Sequence, residues 1–246
     1  MIISIHKKIY LSSLLFLLST HIYAQNKIER KSLNHDSTCF TQGLIVQNNI
    51  VWESCGGYGQ SRVINWNLQS GEVINETEIN DKYFAEGLTE FNGKLFMLTW
   101  KSQTAFEIDK ETLKIIKSHK YFGQGWGLTA DGEYLIMSNG SNILQFINPE
   151  TFKAVKGIEV KLGNTPVYSL NELEWIDGKI WANVFQTDYI VVIDPETGSV
   201  TQRFSLPNLL KEKNIKKPGV LNGIAHDIQS GKTWITGKNW PLIFEL

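Results

Sequence analysis

The chain of 246 residues has little of what most metal, thiol and serine chemistry needs. Only three histidines lie beyond residue 24: His35, His119 and His226. They are far apart and form no HxxxH or similar pair, so a catalytic zinc has no ligand set. The two cysteines, Cys39 and Cys55, read as structural, with no histidine taken to sit beside them. No G-x-S-x-G elbow offers a serine nucleophile. No basic stripe follows a phosphate backbone, and the formal charge is −1, so nucleic acid is a poor partner. No stretch reaches about 18 apolar residues, so no membrane span is expected.

What is present begins with an export signal. Lys7 and Lys8 precede a short apolar run, Ile9 to Leu18, and Ala24 closes a small-residue cleavage site. Residues 1–24 are therefore expected to be removed, leaving 25–246 as one domain in the periplasm or outside the cell. A disulfide is permitted there. A hairpin turning at Asn48-Asn49 would bring Cys39 and Cys55 near each other without setting them directly opposite, which leaves the bridge open.

Self-similarity carries the fold. Five segments share one plan of strand, turn and strand. They are Phe40–Ser54, Phe84–Trp100, Gly125–Asn139, Leu170–Phe185 and Leu221–Lys238. Asn92-Gly93, Asp131-Gly132 and Asp177-Gly178 are two-residue hairpin signals. A second hairpin follows the first four segments, at turns opened by Asn67, Asp109, Asn148 and Asp194. Four strands per repeat of roughly 40–50 residues predict an all-β, five-bladed β-propeller. The last repeat lacks one strand, and Lys27–Leu33 is expected to supply it and hide an edge. Residues 208–217 read as a surface loop or short helix.

The innermost strand of each blade faces the axis, so equivalent positions converge. The residues before each Gly-Leu pair or its counterpart are Gln42, Glu86, Trp126, Asn171 and Asn222. Core packing would not select three amides and a carboxylate. The positions after the second strands are Gly56, Trp100, Asn139, Phe185 and Lys238, expected one layer out. Phe40 and Phe84 add aromatic wall. Glu86 and Lys238 are the lone carboxylate and ammonium of these rings. Apolar walls with a few convergent polar groups predict a small-molecule pocket. Asn222 and Asn139 rank below the others, as bonds between blades. His226-Asp227 reads as blade packing.

The segments FTQGL, GGYGQS, FAEGL, GWGL, NELEW, WANV-Phe185-QTD, LNGIA and GK-Asn239-WP resemble, in order, the plant and bacterial glutaminyl-peptide cyclotransferases (glutaminyl cyclases). The resemblance implies a five-bladed propeller that turns the N-terminal glutamine of peptides or proteins into pyroglutamate and releases ammonia. It implies Glu86 and Lys238 as catalytic residues, and Phe40, Gln42, Phe84, Trp100, Trp126, Asn171 and Phe185 as substrate-binding ones. Phe185 stands where that family usually has tryptophan, so an indole donor is lost. No catalytic cofactor is implied. Members of that family can hold a structural divalent cation on the propeller axis, whose ligands the sequence does not assign. A monomer is expected. The competing expectation is a noncatalytic exported propeller that grips peptides, which has less reason to keep both Glu86 and Lys238.

Overall fold

The computed structural model describes residues 30–207, 209–210, 215 and 219–246, and within them the first strand is β1 (Ser32–Asn34). Blade one is β2 (Thr41–Gln47), β3 (Ile50–Cys55), β4 (Arg62–Asn67) and β5 (Val73–Glu78). Blade two is β6 (Ala85–Phe91), β7 (Lys94–Thr99), β8 (Thr104–Asp109) and β9 (Ile115–Lys120). Blade three is β10 (Leu128–Ala130), β11 (Leu135–Met137), β12 (Ile143–Ile147) and β13 (Ala154–Glu159). A small hairpin, β14 (Lys161–Leu162) and β15 (Thr165–Pro166), leads to blade four. That blade is β16 (Leu170–Ile176), β17 (Lys179–Val184), β18 (Tyr189–Ile193) and β19 (Val200–Ser205). Blade five is β20 (Leu221–Asp227), β21 (Lys232–Gly237) and β22 (Leu242–Glu245), with β1 as its fourth strand.

The ring closes through that borrowed strand. Ser32, Leu33 and Asn34 pair antiparallel with Phe244, Ile243 and Leu242. The first part of the strand expected over Lys27–Leu33 lies outside the described residues, as do residues 1–24 and most of 208–217. Each blade packs on the next through its own apolar cluster, so the core is five wedges around the axis. Leu44, Val46 and Trp66 of blade one meet Trp234 and Ile243 of blade five. Phe96 and Leu98 of blade two meet Met137 and Ile147 of blade three. The outermost strands β5 and β9 are mostly exposed and mix polar residues with the exposed aliphatics Val73, Ile74, Ile115 and Ile116.

Turn chemistry sets the hairpins. Asn92 (φ 51°) and Gly93 (φ 77°) take the left-handed pair of angles that a two-residue turn requires. Asp131-Gly132 departs from the two-residue expectation. Ala130 pairs with Leu135, so four residues lie in the loop. The Asp131 carboxylate accepts the N–H groups of Glu133 and Tyr134, and this local capping widens the turn. Asn67, Asp109, Asn148 and Asp194 each accept backbone N–H groups within their own turns, as expected.

Candidate active site

The innermost strands place the site by a local irregularity. In blades one, two, four and five the register of the inner hairpin slips at the predicted ring position. A bulge there turns the side chain toward the axis. The neighbouring blade pins the bulge. Ser54 Oγ donates to the Glu86 carbonyl at 2.6 Å, and Ser138 Oγ donates to the Asn171 carbonyl at 2.7 Å. Glycine follows the ring residue in blades one, two, three and five because blades touch there. A Cβ on Gly127 would lie 1.9 Å from the Asn171 carbonyl oxygen.

Nine residues line one cavity of about 260 Å³: Phe40, Gln42, Phe84, Glu86, Trp100, Trp126, Asn171, Phe185 and Lys238. These are the nine positions singled out in the sequence. The polar floor is buried: Gln42, Glu86, Asn171 and Lys238 are each at most 5% exposed. The walls are aromatic. Phe84 stands edge-on to Phe40 (6.0 Å) and to Trp100 (5.7 Å), and Trp126 edge-on to Phe185 (5.7 Å).

Burial holds the Glu86 carboxyl well above the usual range, and the Lys238 charge only partly opposes this. Burial brings Lys238 down to about 8, with the Glu86 charge opposing. The Lys238 ammonium sits 4.6 Å from the Phe40 ring centroid and 4.9 Å from that of Phe185. The rings face a cation that has few other partners.

The lower-ranked ring members serve the frame. Asn222 is fully buried and donates to the Thr41 carbonyl and to Gln42 Oε1, which fixes the Gln42 amide. Asn139 does not line the cavity, because its Oδ1 accepts from the Ser141 N–H and hydroxyl. Gly56 leaves room for Phe84, whose ring a Cβ would meet at 2.3 Å. His226 points to Thr233 and Asp227 to Ser230, so neither faces the cavity.

Three features were not anticipated from the sequence. Gln124 accepts the indole N–H of both Trp100 (2.7 Å) and Trp126 (3.1 Å), clamping two walls with one amide. The only sequence clue is its place two residues before Trp126. Glu86 is also not the lone carboxylate on the axis. Glu172 occupies the slot that glycine fills in the other four blades, and its Oε2 accepts from the Ile224 N–H of blade five. Burial, reinforced by the Glu174 charge, pushes Glu172 well up, and burial pushes Glu174 to about 8. Lastly, Cys39 and Cys55 form a disulfide with Cα atoms 5.0 Å apart. Glu53 lies 3.1 Å from Cys39 Sγ, so these three resemble a metal cluster, but the bridge consumes both sulfurs. A histidine does stand here, contrary to expectation: His35 reaches the bridge through Glu53.

Known proteins share this sequence pattern and fold. The family model for glutamine cyclotransferase matches residues 18–246. A glutaminyl-peptide cyclotransferase of Arabidopsis thaliana is 37% identical over 219 residues, which span 86% of this chain and 68% of that one. The crystal structure of Myxococcus xanthus glutaminyl cyclase has a TM-score of 0.82 at 33% identity, covering 87% of this chain and 93% of that chain. A chain of Kuenenia stuttgartiensis hydrazine synthase (TM-score 0.50, 14% identity) shares the fold alone. A family match across nearly all of the chain, with a relative and a solved structure that agree with it, shows that the chain belongs to the glutamine cyclotransferase family.

Proposed function

We propose that the cavity folds the N-terminal glutamine of a peptide onto itself, with Glu86 moving the proton and Lys238 holding the oxyanion. As a member of its family the chain is a glutaminyl-peptide cyclotransferase. The substrate's α-amine attacks its own side-chain amide carbon. A C–N bond forms, and the amide oxygen takes on negative charge. Glu86, ionised, accepts the proton from the attacking nitrogen. It then passes a proton to the leaving nitrogen as the old C–N bond breaks, giving pyroglutamate and ammonia. A carboxyl raised above its ordinary range by burial suits both transfers. Lys238, still largely charged at neutral pH, faces the developing oxyanion.

Gln42, fixed by Asn222, and Asn171, whose Oδ1 is buried without a partner, are placed to hold the substrate's amide and amine. The aromatic walls favour the curled chain, and closing five atoms on themselves is a large share of the work. The observation that carries the reading is a buried carboxylate and ammonium left facing one glutamine-sized cavity. Incubation with an unblocked Gln-peptide, followed by mass spectrometry, tests it. Loss of ammonia supports the enzyme, whereas binding without mass change supports a peptide-gripping propeller.

For the axial cation that the resemblance implies, two oxygens are the ligands proposed here. Glu172 Oε1 and Asn222 Oδ1 are buried without hydrogen-bond partners, and hard cations take such oxygen ligands. These residues would hold it, and its contribution would be structural, tying inner strands together. Export is proposed from the N-terminal signal and is supported by the disulfide. No helix among the described residues is long and apolar enough to cross a membrane. The ring closes within one chain, which supports a monomer.

A further inference from the structure

The cavity takes one glutaminyl residue, so the rest of a peptide must leave over the rim. One segment of that rim runs from Gly56 to Ser61. Its tyrosine, Tyr58, is 52% exposed, yet its ring is held edge-on to Phe84 at 5.4 Å. Phe84 is a cavity wall, so Tyr58 continues the aromatic row from Phe40 through Phe84 into solvent.

The backbone is shaped to keep it there. Gly57 (φ 146°) and Gly59 (φ 71°) flank Tyr58 in conformations that other residues rarely adopt. The Gly57 carbonyl accepts from the Gln60 N–H and the Ser61 hydroxyl. Ser61 Oγ in turn accepts from the Ala85 N–H, next to Glu86. The Gly59 N–H donates to the Asp81 carbonyl at 3.3 Å. The loop is thus tied to the strand that carries the proposed base. An exposed ring on such a tethered loop gains little burial for the fold. Its free face is offered to whatever emerges from the cavity.

We infer that Tyr58 is a specificity-determining residue that packs on the side chain following the N-terminal glutamine, favouring peptides with an aromatic or large apolar residue there. This rests on the cyclase reading, since it takes the glutamine to be seated below. The occupant is the substrate's own second residue, the group joined to the glutamine that fills the cavity. An edge or offset contact between two aromatic rings is worth about 2- to 10-fold in affinity.

The test compares kcat/KM for Gln-Phe-amide, Gln-Gly-amide and glutamine amide in the parent, Tyr58→Ala and Tyr58→Phe. Circular dichroism controls for folding. The expected result is that Tyr58→Ala costs about 3- to 10-fold on Gln-Phe-amide, mostly in KM, and distinctly less on the other two. Tyr58→Phe should restore the preference, because the ring and not the hydroxyl makes the contact. Equal losses on all three substrates would overturn the inference and make Tyr58 a prop for Phe84. No change on any substrate would also overturn it. A parent protein that cyclises none of the three would instead contradict the cyclase reading.

Discussion

Two buried carboxylates in adjacent blades, Glu53 on β3 and Glu86 on β6, are treated in opposite ways. Glu53 is fully buried and its oxygens are saturated. They meet His35 Nε2 (3.0 and 3.2 Å), the Thr41 hydroxyl (2.7 Å) and the Trp66 indole N–H (3.2 Å). Burial works against a charge on His35, but Glu53, the Trp240 carbonyl and Asp36 together more than offset this and raise its pKa. Glu86 is almost as buried, yet its carboxyl opens onto the cavity, and its distant partner Lys238 does not outweigh the cost of burial. A saturated carboxylate stabilises a fold. An unsaturated one costs stability and is available for chemistry. The contrast separates structure from function without any appeal to sequence position.

The largest loss of stability should follow from removing Glu53. Glu53→Ala strands three buried donors and should cost about 3–5 kcal/mol, read as a drop in denaturation midpoint. A change under about 1 kcal/mol, within the range of an ordinary single hydrogen bond, would erase the contrast. On the other side of it, Lys238→Ala should cost on the order of 100-fold in kcat while leaving the protein folded. Loss of folding instead would make Lys238 a structural partner of Glu86.

The pH dependence of stability sharpens the same contrast. The folded Glu86 pKa lies above its unfolded value near 4.5, so the folded state holds that proton longer. Its penalty is absent at low pH and grows as pH rises from 4.5 through the raised value. Glu86→Gln should therefore be at least as stable as the parent at pH 8, with the difference vanishing below about pH 4. Thermal melts across pH check this, and a variant less stable at pH 8 would contradict it. The smallest effect should come from Ser54→Ala, which leaves the buried Glu86 carbonyl without its donor. A loss of about 1–2 kcal/mol is expected in chemical denaturation. A neutral result would mean that the bulge does not depend on the neighbouring blade.

Most of the fold was legible because a repeat states the same thing five times. The inner hairpins fell where Gly-Leu pairs and Asn-Gly or Asp-Gly turns put them, and the missing strand was sought outside the last repeat. The site was legible for the same reason, since equivalent positions in a propeller must converge. What escaped depends on contacts between blades. Glu172 looks like one more acid on a strand until Ile224 is seen donating to it from the next blade. Gln124 gains meaning only when Trp100, from another blade, is found beside it. The disulfide stayed open because Cys39 lies just outside the β2–β3 ladder, where Thr41 pairs with Cys55 and pairing alone does not fix its reach. The four-residue loop at Asp131 was misjudged because a side-chain cap competed with the turn signal.

The central claim is that Glu86 carries the proton. Single-turnover cyclisation of a Gln-peptide by Glu86→Gln, with circular dichroism as the folding control, tests it most directly. The substitution keeps the size and hydrogen-bonding reach of the side chain but removes the base. The expected result is a folded protein whose cyclisation is slower by roughly 100- to 10,000-fold, the usual worth of a positioned acid–base group. A folded variant that cyclises within about threefold of the parent, far short of that contribution, would contradict it.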